Sequence, residues 1–490
     1  MVHALRSRRV ITPHGEQDAT VVIEDGIITA IHTNSHLETR ISNLPTVDLG
    51  SLALLPGLID VHTHINEPGR TEWEGFATAT RAAAAGGFTT LIDMPLNCLP
   101  ETTNVAALEL KREAAATGGP NGSSQCMIDY AFWGGAVHNN QRDLEPLALA
   151  GVAGFKSFLI YPGCDGFTAI DKQNLIRALP HIARTCLPLL VHAELDPNIN
   201  AAVAHLNAAG ADWTDYSTYL ASRPDEAELD AIEMLLDLSR EALDRGQPFQ
   251  LHIVHLSTAK ALPLLAAAKR EGLPLTVETC PHFLHLTAET IDANPNGPTL
   301  CKCAPAIRSA ANREQLWQAL MDGTIDLIAT DHSPCPPHMK RMHPDHVQPG
   351  EQPGRFDLAW GGIPSLSTAI SVLWTECIRR ELTLAQLAHW TSTAPARLAG
   401  LSSRIGSIEV GKYANLVAFD PEAKFTLSED MLHYRHKISP YLGETLRGRV
   451  RSTWLRGQQV FRRAAMDNSG TNTDEFLVSP QGRELQLSSS

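Results

Sequence analysis

Residues 58–64 read Leu-Ile-Asp-Val-His-Thr-His, an apolar run that ends in two histidines. Such a run is typical of a strand buried in a parallel sheet. His62 and His64 are two positions apart, so on a strand their side chains point to the same face and can reach one metal ion. An isolated pair of this kind more often contains a histidine that simply packs in the protein interior, so the interpretation depends on what surrounds it.

Seven further runs rich in Val, Ile, Leu, Phe and Thr follow, separated by helical stretches such as 72–85 and 225–245. The seven runs cover residues 88–95, 127–135, 152–160, 189–194, 250–257, 275–282 and 325–333. Alternating strands and helices predict a parallel sheet, and eight such units predict an α/β fold of the TIM-type (β/α)8 class. We expect this barrel to cover residues 57–404.

The two ends of the chain contain a different pattern. Residues 21–28 and 414–419 are both predicted as strands of an antiparallel sheet, and glycines mark turns nearby. We therefore expect a small composite β-sandwich domain formed by residues 1–56 and 405–464. Residues 465–490 are rich in Asn, Thr, Ser and Gly and show little periodicity, which predicts a mobile tail.

The composition excludes several classes of protein. Of the 490 residues, 43% are apolar and 19% are charged, as expected for an ordinary globular chain. The net charge is -14 and no block of Lys and Arg stands out, which argues against nucleic acid as a partner. No apolar stretch is long enough to span a membrane. The nine cysteines contain no CxxC pair, and with no signal peptide at the amino terminus we expect a cytoplasmic location.

Polar residues recur at the ends of the predicted strands, where barrels of this class carry their active sites. Besides His62 and His64, four more side chains in such positions are candidates for a shared metal site: Lys156, His192, His255 and Asp331. Because the strand ends of a barrel meet at one face, we expect all six to converge. Asp331 is also placed to act as a base toward a metal-activated water, although capping the following helix is an alternative role.

Lys156 lies between large apolar residues, in Gly-Phe-Lys-Ser-Phe-Leu-Ile, where burial of a bare ammonium is costly. One explanation is that its amine reaches a carboxylate or the mouth of the barrel. Another is that the amine is carboxylated, which would turn a cation into an anion with two oxygens that can bridge two metal ions. A pKa depressed by burial would favour the neutral amine that carboxylation requires.

Several segments resemble the cyclic amidohydrolases of the amidohydrolase superfamily, which include dihydroorotases, hydantoinases or dihydropyrimidinases, and allantoinases. The segment Pro-Gly-Leu-Ile-Asp-Val-His-Thr-His-Ile-Asn-Glu-Pro-Gly-Arg at 56–70 is most similar to the allantoinase form of the motif, because dihydroorotases have an Arg where Asn66 stands. Further similar segments are Asp-Met-Pro-Leu-Asn at 93–97, Ala-Thr-Asp-His-Ser-Pro-Cys-Pro-Pro at 329–337 and Trp-Gly-Gly-Ile at 360–363.

The resemblance implies a binuclear site. In it, His62, His64, His192, His255 and Asp331 would hold two divalent ions, with Lys156 as a bridging N6-carboxylysine. The ions would be zinc, with cobalt, manganese or iron as alternatives, and carbon dioxide or bicarbonate would supply the carboxyl group. Relatives contact substrate near the positions of Asn66, Asn97, Cys303 and Gly362, and they commonly assemble as homotetramers or dimers.

The function implied is hydrolysis of a cyclic amide. A hydroxide bridging the two ions would attack the carbonyl and Asp331 would transfer the proton to the leaving nitrogen, so that allantoin becomes allantoate in purine (ureide) catabolism. Hydantoinase or dihydropyrimidinase activity is the alternative. Asn66 disfavours dihydroorotate, whose carboxylate would gain from an arginine. A scaffold relative without catalysis is a further alternative, and the complete set of candidate ligands argues against it.

Overall fold

The computed structural model describes residues 2–33, 44–119, 122–463 and 474–486. Its strands are, in chain order, β1 Val2–Thr12, β2 Gly15–Glu24, β3 Ile27–Thr33, β4 Thr46–Asp48, β5 Ala53–Pro56, β6 Leu58–Thr63, β7 Phe88–Asp93, β8 Asp129–Phe132, β9 Gly134–Gly135, β10 Phe155–Phe158, β11 Leu189–His192, β12 Leu251–Ile253, β13 Leu275–Thr279, β14 Leu327–Ile328, β15 Leu416–Thr426, β16 Thr445–Leu455, β17 Gln458–Arg463 and β18 Asp474–Phe476.

The α-helices lie mainly between the central strands. They are α1 Phe76–Ala85, α2 Val105–Thr117, α3 Leu144–Leu149, α4 Lys172–Thr185, α5 Asp196–Ala208, α6 Tyr216–Ala221, α7 Asp225–Asp244, α8 Leu262–Arg270, α9 Pro281–His285, α10 Ala288–Ile291, α11 Ala310–Asp322, α12 Ala369–Arg379, α13 Leu384–Ala388 and α14 Ala394–Leu398. In the part of the chain that the structure describes, none of these helices is long and apolar enough to cross a membrane.

Strands β6 to β14 form the barrel. They are hydrogen-bonded as a three-stranded sheet, β6-β7-β8, and a six-stranded sheet, β14-β13-β12-β11-β10-β9. Only Trp133 separates β8 from β9, so these two strands fill one position in the ring. The ring closes where Thr63 pairs in parallel with His332, and the backbone N–H of His64 donates to the His332 carbonyl at 2.8 Å. The predicted TIM-type barrel is confirmed.

Each of the eight predicted runs contains a strand, but one predicted helix begins later than expected. We predicted a helix over 72–85, whereas α1 begins at Phe76. Gly75 precedes it with a φ of 94°, a conformation that glycine adopts without steric cost and that breaks the helix. The carboxylate of Glu67 accepts from the Phe76 N–H at 2.8 Å and satisfies one of the free donors at the start of the helix.

Both ends of the chain contribute to a second, nine-stranded sheet in the order β18-β17-β16-β15-β5-β1-β2-β3, with β4 also paired to β1. The two ends meet where β5 pairs antiparallel with β15, with Pro56 opposite Leu416. Buried side chains such as Leu5, Leu54 and Trp454 pack into a core of their own. The run predicted as one strand over 21–28 is instead a hairpin, because Asp-Gly at 25–26 forms the turn between β2 and β3.

The structure differs from the predicted mobile tail at residues 474–486. Strand β18 pairs with β17, and Leu485 is 2% exposed and packs with barrel residues. The Glu484 carboxylate accepts from the Arg112 guanidinium at 2.8 Å. This polar segment therefore packs on the rest of the protein through backbone hydrogen bonds and a few buried apolar side chains. The rest of the predicted tail, 465–473 and 487–490, lies outside the described residues.

Candidate active site

At the carboxyl end of β6, His62 and His64 lie beside the carboxylate of Asp331, which follows β14. The Oδ1 atom of Asp331 lies 3.4 Å from Nε2 of His62 and 3.3 Å from Nε2 of His64. All three residues are candidates to hold one metal ion, with their ligand atoms within 4.8 Å of one another. The side-chain amide of Asn97 lies 3.2 Å from the other ring nitrogen of His64, which leaves Nε2 directed at Asp331.

The ends of β11 and β12 bring a second pair of histidines together. The Nδ1 atom of His192 lies 3.0 Å from Nε2 of His255. The Glu194 carboxylate accepts from Nε2 of His192 at 2.8 Å, so Nδ1 carries the lone pair that can bind a cation. The ring of His62 lies 5.3 Å from that of His255, centre to centre, so the two groups of ligands are adjacent.

Lys156 projects from β10 and is fully buried. Its Nζ lies 4.8 Å from the centre of the Phe158 ring and has no hydrogen-bond partner among the described residues. Burial disfavours the ammonium and lowers its pKa to about 7, although the carboxylates of Glu278 and Asp331 act in the opposite direction. A substantial fraction of the amine is therefore neutral near neutral pH.

These features fit a site for divalent cations. The Nζ atom of Lys156 and the Nδ1 atom of His255 are buried and have no hydrogen-bond partner among the described residues, as expected where another group binds. Imidazole and carboxylate donors suit zinc, iron and similar ions. The structure thus brings together all six residues that the sequence nominated, from strands far apart in the chain.

Sequence reasoning missed the buried carboxylate that orients much of this site. Glu278, on β13, accepts from Nδ1 of His62, from Nε2 of His252 at 3.0 Å and from the His255 N–H at 3.2 Å. Burial opposes its ionisation, but the charge of His62 and the hydrogen bonds from both imidazoles outweigh it and lower the pKa to about 2. A carboxylate in a buried strand was the available signal, because burial of an unpaired charge is costly.

Asp60 lies two positions before His62 and hydrogen-bonds Thr330, the residue before Asp331. Its carboxylate accepts from the backbone N–H and the hydroxyl of Thr330 and from the His62 N–H at 3.2 Å. Asp331 and His255 have φ values of 46° and 37°, a left-handed conformation that is uncommon for residues with a Cβ. Such strain is retained where the surrounding structure holds a side chain in a particular direction.

A cavity of about 280 Å³ is lined by five of the six residues, His62, His64, His192, His255 and Asp331, whereas the fully buried Lys156 lies outside its lining. Among the predicted substrate contacts, Asn97, Cys303 and Gly362 line it, whereas Asn66 is buried outside the lining and its amide donates to the Pro334 carbonyl at 3.4 Å. Three further lining residues, Tyr161, Arg223 and Lys302, were not among the predicted contacts because they lie in loops outside the predicted strands.

Comparison with known proteins gives one consistent family. Residues 53–460 match the amidohydrolase family. The chain is 46% identical to an allantoinase of Streptomyces avermitilis over 98% of both chains. It is 42% identical to an allantoinase of Arabidopsis thaliana over 93% of this chain and 87% of that one. An allantoinase of Saccharomyces cerevisiae is 39% identical, and the match covers 99% of this chain and 98% of the relative.

Solved structures agree with this assignment at lower identity. An L-hydantoinase (dihydropyrimidinase) from Arthrobacter aurescens superposes with a TM-score of 0.86 at 27% identity, covering 99% of this chain and all of the other. A dihydropyrimidinase from Brevibacillus agri gives a TM-score of 0.83 at 27% identity, covering 99% and 98%. With the matched family, the shared architecture and the ligand set in view, this chain belongs to the amidohydrolase family, and its allantoinase relatives match it over nearly their whole length.

Proposed function

We propose that this protein is a metal-dependent hydrolase that opens the cyclic amide of allantoin to give allantoate. The convergence of His62, His64, His192, His255 and Asp331 on one cavity, with the buried Lys156 close enough to affect the charge of three of these histidines, carries the proposal. The allantoinase relatives, which match nearly the full chain, support allantoin as the substrate. Two divalent ions bound by these residues would supply an activated water and polarise the amide carbonyl.

Zinc is the proposed metal, with cobalt, manganese or iron as alternatives. Four imidazoles and one aspartate suit zinc and iron better than calcium or magnesium, which prefer oxygen ligands. We further propose that Lys156 is an N6-carboxylysine. Its neutral amine would attack carbon dioxide, forming an N–C bond and losing one proton, and the resulting carbamate would supply two anionic oxygens. The carbamate carries one negative charge that its two oxygens share. The pKa of about 7 and the absence of any hydrogen-bond partner for Nζ among the described residues support this step.

Asp331 is the proposed proton carrier. Its carboxylate would accept a proton from the attacking water and pass it to the ring nitrogen as the amide bond breaks. Burial opposes its ionisation, but His62 and His64 outweigh it and hold the pKa of Asp331 well below the ordinary range. The carboxylate is therefore ionised and ready to accept a proton at neutral pH. Asn97, Cys303 and Gly362 line the cavity and are the proposed contacts for the ring.

A hydantoinase or dihydropyrimidinase function is the second candidate, favoured by the hydantoinase structure with a TM-score of 0.86. The two are separated by assaying allantoin, hydantoin, dihydrouracil and dihydroorotate side by side with added zinc or cobalt and bicarbonate. We expect the largest kcat/KM for allantoin. A value for hydantoin or dihydrouracil equal to or above that for allantoin would overturn the assignment.

We also propose a compartment and an oligomeric state. All nine cysteines are free thiols, eight of them buried, which supports a reducing compartment such as the cytoplasm. The likeness to hydantoinases supports assembly into a homo-oligomer, a tetramer or a dimer. Light scattering on the purified protein distinguishes a monomer from a dimer or tetramer.

A further inference from the structure

Two basic side chains, Arg223 and Lys302, line the same cavity as five of the six candidate ligands. Neither belongs to the ligand set or carries a proton in the mechanism proposed above. Basic side chains in the wall of a small cavity lose hydration, which is costly. We therefore expect a ligand in the cavity to offer groups that accept hydrogen bonds from them. Their surroundings show which of their donors are already engaged.

Arg223 follows α6 and is only partly engaged by protein atoms. One Nη lies 3.3 Å from the Glu194 carboxylate, the same group that holds His192. A guanidinium carries five N–H donors, and among the described residues this carboxylate is the one acceptor found for them. The side chain is 22% exposed and lies in the cavity wall, so its remaining donors are accessible from the cavity.

Lys302 is in a similar position. Its Nζ donates to the Ala359 carbonyl at 2.5 Å and lies 5.4 Å from the centre of the Tyr219 ring. No carboxylate in the described parts of the chain lies within ion-pair distance of this amine. Burial, together with the charges of Arg223 and Lys340, lowers the pKa of this amine to about 7. Because the Ala359 carbonyl accepts one N–H, at least one N–H remains for a ligand whether the amine is neutral or charged.

The carboxylates nearby cannot neutralise these cations fully. Glu194 is shared with His192, and Asp331 lies between His62 and His64. The cavity therefore offers an excess of hydrogen-bond donors at Arg223 and Lys302, and the complementary ligand group is a carbonyl oxygen rather than an apolar substituent.

We propose that Lys302 and Arg223 form the subsite for the open-chain ureido arm of the substrate and bind its carbonyl oxygen. The inference rests on the proposed function and deepens it, because hydantoin has the same ring as allantoin but lacks this arm. A site built to hydrogen-bond a substrate group disfavours the analogue without it, since the donors of the protein are then left unpaired in a desolvated cavity. Lys302 and Arg223 would thus be specificity-determining residues.

The test compares Lys302→Met with the native protein on allantoin and hydantoin. Methionine keeps the apolar stem and removes the donors. We expect kcat/KM for allantoin to fall by about 10- to 100-fold more than that for hydantoin, mainly through a higher KM. If hydantoin turns over too slowly, its inhibition constant against allantoin replaces kcat/KM. Lys302→Arg retains donors and should recover most of the preference, whereas Lys172→Met, at an exposed position, is the matched control.

Metal content and melting temperature are measured for each variant. Equal losses on both substrates, or a preference unchanged in Lys302→Met, would overturn the subsite while leaving the proposed function intact. Failure of the native, metal-loaded protein to open allantoin would instead refute the proposed function. Arg223→Gln provides the second variant: a loss specific to allantoin with full metal content supports the subsite, and loss of metal with equal effects on both substrates would show that Arg223 acts only through Glu194.

Discussion

The Nδ1 atom of His192 lies 3.0 Å from the Nε2 atom of His255, although 63 residues separate them in the chain. The opposite nitrogen of His192 is held by Glu194 at 2.8 Å, so the lone pair of Nδ1 faces its neighbour. Burial lowers the pKa of both histidines, and the positive charges nearby lower that of His255 further. Neutral imidazoles held in this way are suited to share a cation rather than a proton.

Metal removal should therefore lower the stability of the folded protein. A cation that binds only the native state at a thousand times its Kd contributes about 4 kcal/mol to the free energy of unfolding. We expect the melting temperature of the chelated protein to fall and to recover when zinc is restored, as followed by calorimetry. His205→Ala, at an exposed position on α5, should respond to the chelator like the native protein. Identical melting temperatures with and without metal would contradict the metal site.

Substitution of Lys156 should remove both metal and activity. Lys156→Ala deletes the proposed bridging carboxylate, and we expect activity to fall by more than about 100-fold, with reduced metal content by elemental analysis. Native protein prepared without carbon dioxide should gain activity when bicarbonate and zinc are added together. Full metal content in Lys156→Ala, or activation by zinc alone, would argue that the amine is not carboxylated.

Glu278→Gln tests the orientation of His62. Glutamine keeps the size of the side chain but replaces the carboxylate, whose oxygens accept hydrogen bonds from His62 and His252, with a neutral amide. Loss of such a partner typically lowers metal affinity or activity by about 10- to 100-fold. Zinc titration and steady-state kinetics measure both effects, with Glu233→Gln on the exposed face of α7 as the control. Unchanged metal affinity and activity would show that Glu278 has no part in holding the site.

Stability should decrease at alkaline pH because of His285. Burial opposes its charge, but Glu376 and Glu444 accept from its two ring nitrogens at 2.9 and 2.8 Å and raise the pKa from 6.5 to about 9. Because its pKa is higher in the folded state than in the unfolded state, protonated His285 stabilises the fold. This contribution is fully present below pH 6.5 and is lost as the pH rises through about 9. It amounts to about 3 kcal/mol.

Urea unfolding at pH 6 and pH 9 measures this effect. His285→Gln should be less stable than the native protein at pH 6 and should lose less stability between the two pH values. A native and a variant protein with the same pH dependence would rule out His285 as the source.

The carboxyl-terminal segment should contribute to stability through Leu485. Its side chain is 2% exposed, and truncation of such a leucine typically costs about 2–5 kcal/mol. We expect Leu485→Ala to lower the melting temperature with no change in KM. Leu477→Ala, at a position that is 39% exposed, should change stability by less than about 0.5 kcal/mol. Equal melting temperatures for the two variants would mean that the packing of Leu485 contributes little.

The sequence alone determined the class of the fold and the identity of the candidate ligands. The His-Thr-His end of β6 and seven further apolar runs specify strands whose carboxyl ends share one face, because parallel strands joined by helices leave no other arrangement. The polar residues at those ends were thus recognisable from their position in each run. Asp-Gly at 25–26 is a local turn signal, but the apolar residues on both sides of it predict a single strand.

Only the tertiary structure decided which groups surround the ligands. Glu278 and Asp60 act across the barrel, and nothing in their own segments indicates which imidazole or backbone group they contact, whereas Glu194 holds His192 only two residues away. Arg223 and Lys302 enter the cavity from separate loops, and Asn66 lies outside its lining. The candidate ligands can be identified from the periodicity of each strand on its own. Their contact partners depend on where distant segments meet, and the packing of the whole chain determines where they meet.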